Sequence, residues 1–378
     1  MRILFAGGGT GGHLFPAIAI AEEISALDTD SQIEFVGTRY GIEYRMKDRL
    51  GYPLSTIAIR GLARTISPAL VLFPIRLIIS IFQALRICAR FRPHVVVGTG
   101  GYVAGPVIIA AVLKKIPRVL QEQNSYPGLV TRKLAGKVNV VFTAYAKAEG
   151  FLPPNTVCRR LGNPIRRALT GGNREAAMEK FGLRHDRTTI LILGGSQGAH
   201  RINEAVLTGL KSIDETMQIL WQCGKRDYMD VAAWVDKKDF VISLFPFTDE
   251  MDAVYAAADL AIARAGALTL AELTACGIPA ILIPYPYAAA DHQTHNAREM
   301  VDAGAADLIR DDELDSVNLL SRAADIIRSG RLPSMRQAAR RLGRPDAACH
   351  IAREILHLAG YKGDNRGTEH EGRAHQVV

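Results

Sequence analysis

The feature that most constrains the fold of this chain is a pattern that occurs twice: an uninterrupted apolar run that ends directly in glycines. The segment ILFAGGGTGGH begins at Ile3, and ILILGGSQGAH begins at Ile190. After each, short β-branched runs alternate with longer helical patterns. Continuous apolar strands separated by helices are typical of parallel sheets covered on both faces. The sequence therefore predicts an α/β fold with two Rossmann-like, doubly wound parallel-sheet domains that face each other across a cleft.

Chain length and polarity define the expected domain boundaries. The chain has 378 residues, enough for two domains of ordinary size, and the join is expected near RRLGNPIRRAL, which begins at Arg159. We predict a first domain over 1–164, a second over 165–344, and a helix around 345–358 that returns to the first domain. The segment 361–378 is polar and aperiodic, so we expect a disordered tail.

Composition excludes several classes of protein. The five cysteines are scattered without a CxxC pair, which disfavours a disulfide framework or a zinc site and fits a reducing cytosol. No apolar run is long enough to predict a transmembrane helix. Basic residues are concentrated in the first 165 residues, with 20 Lys and Arg against 9 Asp and Glu. This half of the chain is therefore expected to meet an anionic partner.

The first glycine loop contains the GxGxxG pattern, formed by Gly7, Gly9 and Gly12. A nicotinamide dinucleotide site would also need an acidic residue at the end of the second strand. That strand, IEFVGT, ends in glycine and threonine, with Glu34 inside it, so an NAD-dependent dehydrogenase is disfavoured. The loop still lets backbone amides approach an anion or a sugar at a helix N-terminus.

Three further segments predict a nucleotide diphosphate site. VVVGTGGYVAGP follows another strand of the first half, and Ser196 of GGSQGAHRIN offers a hydroxyl to a phosphate in the second half. In RAGALTLAELTACG, Gly266 to Thr269 begin a helix whose free amides suit a diphosphate. Glu272 lies one turn further, where a carboxylate can accept hydrogen bonds from both ribose hydroxyls. Phosphate alone would not explain that acid.

Seven motifs in the same order together resemble the MurG family of bacterial glycosyltransferases. They are GGGTGGHLFPAIAIA, GTGGYVAGP, QEQN, GNPIR, GGSQGA, RAGALTLAE and DHQTHNA, and the resemblance covers about residues 1–357. It implies the GT-B fold and an inverting, metal-independent transferase without a cofactor. The reaction implied moves GlcNAc from UDP-GlcNAc to the 4-hydroxyl of MurNAc in lipid I, the undecaprenyl-pyrophosphoryl-MurNAc-pentapeptide, and forms lipid II for peptidoglycan.

The resemblance also implies which residues bind the donor. The first loop and DHQTHNA are expected to contact the sugar, and QEQN and GNPIR are expected to contact the donor from the hinge side of the cleft. GGSQGA is expected to contact a phosphate. Backbone groups near FPFTDEMD are expected to recognise uracil, and GALTLAE is expected to contact the diphosphate and the ribose. In that order, the residues are Thr10, Gly11, Gly12, Gln293, Asn124, Arg166, Ser196, Thr248, Ala267, Leu268, Thr269, Leu270, Ala271 and Glu272. The chain departs from the family at Gln121, often His, and at Ala104, often Ser, and both positions are expected to be peripheral to the donor.

Two residues are candidates for the catalytic base. His13 follows the first glycine loop at the start of a helix, and an imidazole titrates near neutral pH. It has an alternative role as a helix-capping or sugar-contacting residue. Glu122 of QEQN is the other candidate, and Tyr102 is expected to orient the acceptor. The DxD triplet Asp28–Asp30 resembles the motif of metal-dependent transferases, but it precedes the second strand at the wrong edge of the sheet.

A basic, apolar flank predicts membrane contact. From residue 49 to residue 121 the chain contains no Asp or Glu, and ALVLFPIRLIISIFQALRI lies inside this stretch. Apolar side chains among basic ones suit an anionic leaflet, so we expect Arg64, Arg76 and Arg86 to contact the membrane or the acceptor. Part of the segment is expected to pack on the sheet. We expect a peripheral protein on the cytoplasmic face of the bacterial plasma membrane, with cell-wall synthesis and division proteins as further partners.

Other functions fit the sequence less well. Another UDP-GlcNAc enzyme of the same fold, either a 2-epimerase or a glycolipid synthase, is the nearest alternative. An epimerase has no need for the acid-free flank, and a glycolipid synthase would differ around GGYVAGP. A non-catalytic sugar-nucleotide sensor is disfavoured by the intact GGTGGH and GALTLAE. Nucleic acid binding is disfavoured because the flank lacks interleaved aromatic residues and any recognised binding motif.

Overall fold

The computed structural model describes residues 1–61, 72–194, 198–235 and 240–361. Two parallel sheets organise these residues. The strands of the first sheet, in chain order, are β1 Arg2–Gly7, β2 Gln32–Gly37, β3 Leu54–Thr56, β4 Val95–Gly100, β5 Arg118–Glu122, β6 Val140–Thr143 and β7 Cys158–Arg160. They lie in the spatial order β3-β2-β1-β4-β5-β6-β7. The chain thus winds outward from β1 in both directions, as in a doubly wound sheet.

Helices cover both faces of the first sheet. They are α1 Gly11–Leu27, α2 Ile42–Arg45, α3 Phe73–Phe91, α4 Gly101–Leu113, α5 Leu129–Leu134 and α6 Ala146–Glu149. β1 shows why its sequence is apolar without alternation. Ile3 and Phe5 pack in the core that includes α1, while Leu4 and Ala6 pack on the other face in the core that includes α4. Because successive side chains point to opposite faces, both faces must be apolar.

The second sheet repeats this arrangement. Its strands are β8 Thr188–Leu193, β9 Met217–Gln222, β10 Ile242–Phe245, β11 Leu260–Ala263, β12 Ala280–Leu282 and β13 Ala306–Leu308, in the spatial order β10-β9-β8-β11-β12-β13. The helices that follow β7 are α7 Arg174–Lys180, α8 His200–Gly209, α9 Tyr228–Val235, α10 Met251–Ala257, α11 Ala267–Ala275, α12 His292–Asp302, α13 Leu319–Arg328, α14 Leu332–Leu342 and α15 Ala347–Leu358. Residues of β8 pack alternately into two cores, one on each face of this sheet.

The last helix packs on the first sheet's side of the molecule. The apolar side chains of α15, including Ile351 and Ile355, are buried in the same core as Ile20 and Ile24 of α1. The chain therefore crosses between the two sheets twice, once after β7 and once before α15. The domain limits at 164 and 344 stay a prediction, and the predicted tail over 361–378 lies outside the described residues except for Tyr361.

The predicted fold class is confirmed, because both sheets are parallel and doubly wound. Three strands were not predicted: β3, β7 and β13 have only three residues each, with the sequences LST, CRR and ADL. They lie at the edges of the sheets, where few strand neighbours are available. Polar composition and short length gave them no apolar pattern to detect.

Candidate functional site

Two glycine loops meet at the carboxyl ends of β1 and β4, which are adjacent strands. The Thr99 hydroxyl donates a hydrogen bond to the His13 carbonyl oxygen across a distance of 2.7 Å. A Cβ atom on Gly101 would lie 2.6 Å from the carbonyl oxygen of Gly8, and Gly101 has a positive φ of 72°. Only glycine fits this contact without strain. The two loops therefore form one surface at the end of the sheet.

The imidazole of His13 is held by one of its two nitrogens. Its Nδ1 is 3.1 Å from the carbonyl oxygen of Thr99 and 3.1 Å from Oε1 of Gln123. Both partners accept hydrogen bonds, so the proton of the neutral ring lies on Nδ1 and the lone pair lies on Nε2. Within the described part of the chain, Nε2 makes no hydrogen bond. A half-buried imidazole with a free Nε2 can take a proton from a substrate hydroxyl.

Glu122, the other candidate base, is buried and already has partners. Its Oε1 accepts from the backbone amide of Asn124 at 3.1 Å and from the side-chain amide at 3.3 Å. Its Oε2 accepts from the backbone amide of Gly128 at 3.0 Å. The carboxylate thus closes the loop between β5 and α5. These contacts hold the loop together and leave the carboxylate less available for proton transfer than Nε2 of His13.

The remaining first-loop residues surround His13. Thr10 precedes α1, and its carbonyl oxygen accepts from the amide of His13, while its exposed hydroxyl makes no capping bond. Gly11 is half-buried and Gly12 is exposed. The ring of Tyr102 lies against Gly9, where a Cβ atom would be 2.9 Å from Cε1. The structure therefore brings the first-loop residues predicted to contact the sugar close to Tyr102, predicted to orient the acceptor.

Sequence reasoning missed Glu43, whose carboxylate is hydrogen-bonded to the first loop. Its side chain is fully buried, and Oε2 accepts from the amide of Gly9 at 2.8 Å. Its Oε1 accepts from the amide of Thr38 at 2.8 Å and from the hydroxyl at 3.1 Å. A Cβ atom on Gly8 or Gly41 would collide with this carboxylate. The amide of Gly9 therefore already has a hydrogen-bond acceptor within the protein. An acidic residue inside GIEYR gives no sequence signal of this role.

In the second domain, α11 begins directly beyond β11 and presents unpaired amides. Gly266 is its N-cap residue, and the first bond within the helix runs from the amide of Leu270 to the carbonyl oxygen of Gly266. The amides of Ala267, Leu268 and Thr269 have no acceptor among the described residues. Such a helix end favours an anion. The side chain of Leu270 is buried in the core, and that of Ala271 is half-buried.

Glu272 lies one turn into α11 and has a partner that the sequence did not reveal. Its Oε2 accepts from the hydroxyl of the buried Tyr255 of α10 at 2.6 Å. Burial raises the pKa of Glu272, while the Tyr255 hydrogen bond and the charge of Arg166 oppose that rise. Burial and the nearby Glu272 raise the pKa of Tyr255. Among the described residues, no hydrogen bond is made to Oε1 of Glu272.

Arg166 lies in the segment that joins the two domains. Burial raises the pKa of Glu22 of α1, and the charge of Arg166 opposes this shift, as it does at Glu272. The charge of Arg166 thus acts both on α1 of the first domain and on α11 of the second. Among the described residues its guanidinium makes no salt bridge. It can therefore receive an anion at the junction of the domains.

Side chains from both domains meet at the base of the cleft. Oδ1 of Asn296, in α12, accepts from the amide of Ser125 at 3.1 Å and from its hydroxyl at 2.8 Å. The Asn296 amide donates to Oδ1 of Asn124 at 3.4 Å. Closer to the solvent, Arg49 pairs with Asp249 at 3.0 Å, and both side chains are largely exposed. The contacts of Asn296 hold the QEQN loop against the second domain.

The remaining predicted donor residues are placed as follows. The Thr248 hydroxyl accepts from the amide of Glu250 at 3.1 Å before α10, which leaves the backbone groups of Thr248 to meet a ligand. Oε1 of Gln293 accepts from the amide of Tyr285 at 2.9 Å, so its amide nitrogen is the group available to a sugar. Ser196 lies outside the described residues.

The flank of the first domain exposes an apolar helix face. On α3, Ile75, Ile78, Ile79 and Phe82 are between 45% and 63% exposed, while Ser80, Ala84, Ile87 and Cys88 face the core. Arg86 is exposed and Arg76 is half-buried on this helix, and Arg64 lies outside the described residues. Within the described ranges, no helix combines the length and apolar character needed to cross a bilayer.

Asp28, from the DxD triplet, lies at the opposite edge of the first sheet. It follows the end of α1 and pairs with the N-terminal amino group of Met1 at 2.7 Å. The glycine loops are at the carboxyl ends of the strands, a sheet's length away. The triplet is therefore part of the scaffold and takes no part in the site.

Comparison with known proteins gives consistent matches over both domains. The glycosyltransferase family 28 N-terminal domain matches residues 3–143, and the family's C-terminal domain matches residues 189–351. A protein from Myxococcus xanthus is 42% identical over 356 residues, covering 93% of this chain and 91% of its own length. A protein from Caldanaerobacter subterraneus is 40% identical and covers 93% and 98%. Both are named UDP-N-acetylglucosamine–N-acetylmuramyl-(pentapeptide) pyrophosphoryl-undecaprenol N-acetylglucosamine transferase.

Solved structures agree with these matches. The crystal structure of Acinetobacter baumannii MurG superposes with a TM-score of 0.75 at 29% identity and covers 94% of this chain and 99% of its own. A structure described as a putative UDP-N-acetylglucosamine 2-epimerase from Listeria monocytogenes has a TM-score of 0.65 at 16% identity, covering 96% and 98%. At that identity the second likeness shows the shared fold alone.

Proposed function

The chain belongs to the MurG family, and from that premise we propose how its two domains divide the reaction. The enzyme transfers GlcNAc from UDP-GlcNAc to lipid I and forms lipid II for peptidoglycan synthesis. The assignment of this reaction to the cleft rests on two features, His13 in the first domain and the N-terminus of α11 in the second. In the first domain His13 is held through Nδ1, and in the second α11 begins with three amides; Nε2 of His13 and these amides have no hydrogen-bond partner among the described residues.

The second domain binds the donor. The first-turn amides of residues 267–269 hold the diphosphate, since no described residue accepts from them and they lie at the positive end of α11. Oε1 of Glu272 accepts from the ribose, with the carboxylate held by Tyr255. Arg166 neutralises the charge of the diphosphate from the joining segment, where it already opposes the raised pKa values of Glu22 and Glu272.

The two ends of the donor are held separately. Backbone groups of Thr248 read the uracil, and Ser196 contacts a phosphate. The side-chain nitrogen of Gln293 binds hydroxyls of the GlcNAc ring, because its oxygen is occupied. Asn124 supports the sugar from the first domain. The backbone of Thr10, Gly11 and Gly12 completes the sugar site, and Leu270 and Ala271 shape it from within α11.

His13 is the base of the transfer. The 4-hydroxyl oxygen of MurNAc attacks C1 of GlcNAc as the bond between C1 and the diphosphate oxygen breaks, and its electron pair leaves with UDP. The hydroxyl proton passes to Nε2 of His13, whose Nδ1 is already protonated. Attack from the face opposite an α-linked leaving group gives a β-1,4 linkage. Tyr102 orients the acceptor beside His13, and Glu122 holds the loop that carries Asn124.

The charge on departing UDP is stabilised by the protein's own groups, without a metal ion or cofactor. Helix-end amides and the Arg166 guanidinium are preorganised around the position of the diphosphate, and such fixed donors stabilise developing charge effectively in an enclosed site. The DxD triplet does not reach the cleft, because Asp28 pairs with Met1. Transfer is therefore expected to continue in the presence of a chelator.

The apolar face of α3 docks on the anionic leaflet that holds the acceptor. Four large apolar side chains are exposed there, and burying each in a bilayer interface contributes roughly 1.5–3 kcal/mol. Arg76 and Arg86 add attraction to anionic lipid, as does Arg64 in the neighbouring acid-free segment. The protein is a peripheral enzyme of the cytoplasmic face of the plasma membrane. Cell-wall synthesis and division proteins are its further partners there.

The test compares UDP release by the wild type, His13→Ala and Glu122→Gln, with UDP-GlcNAc, a lipid I analogue and EDTA. We expect the wild type to turn over with EDTA present, and His13→Ala to lose about a hundredfold or more in kcat with donor affinity kept. Glu122→Gln should lose less, because its contacts position a loop. Full activity of His13→Ala would exclude His13 as the base, and loss of wild-type activity in EDTA would exclude the metal-free mechanism.

A further inference from the structure

Three buried amide side chains lie between His13 and α11. Gln121 and Gln123 belong to β5 and its end, and Asn163 belongs to the segment that joins the two domains. Their exposed fractions are 0%, 3% and 4%. Buried amides must be hydrogen-bonded, since an unpaired amide in the interior is costly. Gln121, expected to be peripheral to the donor contacts, is the middle member of this set.

The hydrogen bonds run in one direction through the three amides. Nδ1 of His13 donates to Oε1 of Gln123 at 3.1 Å, and Nε2 of Gln123 donates to Oε1 of Gln121. Nε2 of Gln121 donates to Oδ1 of Asn163 at 3.2 Å. The amide of Asn163 then donates to the carbonyl oxygen of Ala267, the first residue of α11, at 3.4 Å.

Backbone carbonyl groups fix this direction. Nε2 of Gln123 lies 2.7 Å from the carbonyl oxygen of Thr99, and the amide of Asn163 lies 3.0 Å from that of Gln123. A carbonyl oxygen only accepts, so neither amide can be turned end for end without facing acceptor against acceptor. With both ends set, Gln121 has one orientation as well. Chains of aligned hydrogen bonds also polarise and strengthen one another.

We propose that Gln121, Gln123 and Asn163 are positioning residues that hold the imidazole of His13 in register with the first turn of α11. The inference rests on the proposed role of His13 as the base. It assigns a role to Gln121, which touches neither His13 nor α11. The relay, defined as these three side chains, crosses from the first domain to the second. A movement of α11 on donor binding is therefore passed to the ring that receives the acceptor proton.

The variant that tests the relay is Gln121→Met, which keeps the side-chain length and removes both hydrogen bonds. Misplacement of a catalytic group costs up to about a hundredfold in rate, so we expect kcat to fall at least about tenfold. The KM for UDP-GlcNAc should change less than about twofold, because the groups that contact the donor are untouched. Unchanged kcat would overturn the proposal.

A second variant covers the case in which Gln121→Met fails to fold. Gln121→Glu keeps the size and the acceptor for Gln123 but places an acceptor against Oδ1 of Asn163. We expect the same loss of kcat from Gln121→Glu, and a rate equal to that of the wild type would overturn the proposal. The matched control is Gln218→Glu, a buried glutamine of β9 that donates to Arg184 and Thr189 away from the cleft. This control should keep its kcat.

A double-mutant cycle separates positioning from general structural damage. In the His13→Ala background, Gln121→Met should not lower the residual kcat further, because the relay acts only through His13. A further loss of about tenfold in that background would overturn the proposal. Full activity of His13→Ala itself would instead overturn the role of the base, so the two failures are distinguishable.

Nitrogen-15 NMR of labelled histidine gives a readout that does not depend on turnover. The His13 signal, assigned by its loss in His13→Ala, should report a proton on Nδ1. Addition of UDP, which binds at the α11 end, should shift this signal in the wild type and leave it unshifted in Gln121→Met. A shift of equal size in the variant would show that coupling bypasses Gln121 and would overturn the relay.

Discussion

Single side chains decide which polar groups of the cleft stay available to substrates. Glu43 takes the amide of Gly9, and Tyr255 takes one oxygen of Glu272. Gln123 and the carbonyl oxygen of Thr99 together take Nδ1 of His13. The contacts at Glu272 and His13 leave Oε1 and Nε2 without a hydrogen bond among the described residues. If these two groups meet the substrates as proposed, binding and reaction break no hydrogen bond of the protein.

Donor affinity should depend on pH through Glu272. In the proposed site the ionised carboxylate accepts from the ribose hydroxyls, and burial raises its pKa, so affinity should fall as the pH falls through that raised pKa. Tyr255→Phe removes a hydrogen bond that favours the ionised form. The pKa of Glu272 should therefore rise further in the variant, and the midpoint of the affinity loss should move to higher pH.

Calorimetric titration of UDP at a series of pH values measures this midpoint. The matched control is Tyr361→Phe, which removes a hydroxyl bond of 3.2 Å to the carbonyl oxygen of Leu27, far from the cleft. The control should keep the wild-type midpoint. An unmoved or lowered midpoint in Tyr255→Phe would contradict the role given to Glu272.

The residues whose structural roles the sequence did not indicate share one property. Each acts through a hydrogen bond to a residue that is distant along the chain. His13 and Thr269 are found because they sit beside glycines in recognisable motifs. Glu43 and Tyr255 lie in no recognised motif, and Gln121 lies in QEQN, which gives no sign of its partner; the partners of the three lie 34, 17 and 42 positions away. Only the folded arrangement of strands and helices brings these groups together.

At the level of elements, α3 is the helix whose composition fits least well with a soluble domain. One face packs in the core through Ser80, Ala84, Ile87 and Cys88, and the other exposes isoleucines and Phe82. The apolar pattern of this segment is visible in the sequence, but its division into a packed face and an exposed face is not. That division depends on how α3 is turned against α4, which the hydrophobic period alone does not fix.

The double variant Ile78→Ser/Phe82→Ser should weaken binding to vesicles of anionic phospholipid by more than about tenfold, because two buried apolar side chains are lost from the bilayer contact. Co-sedimentation with vesicles measures this. Activity on a water-soluble acceptor should be unchanged. The control Met229→Ser/Trp234→Ser removes two exposed apolar side chains from α9 of the second domain and should bind like the wild type. Equal binding by both double variants would exclude α3 as the docking face.

On the scale of the whole molecule, two sheets that were predicted from strand pattern are joined by contacts that no pattern indicates. Asn296 holds the QEQN loop, and Asn163 links Gln123 to α11. The glycine loops predict that each domain has a binding edge. That these edges share buried polar contacts follows only from the relative placement of the two domains.

Donor binding should therefore change amide exchange in the first domain as well as in the second. In hydrogen–deuterium exchange, UDP should slow exchange of the amides of 122–128 and of α11 in the wild type. Asn296→Ala removes the acceptor for the Ser125 amide, so UDP should protect α11 but no longer protect 122–128. Arg49→Ala breaks an exposed ion pair of little energetic weight and should resemble the wild type. Protection of 122–128 in Asn296→Ala would contradict this coupling.

The most direct test of the central claim is the identity of the product. The purified protein is incubated with UDP-GlcNAc, a lipid I analogue and EDTA, and the lipid product is analysed by mass spectrometry and proton NMR. The account predicts one added GlcNAc on the MurNAc unit, with the anomeric coupling of a β linkage, and one UDP released for each product. An α linkage, or conversion of UDP-GlcNAc to its C2 epimer with the lipid unchanged, would contradict it.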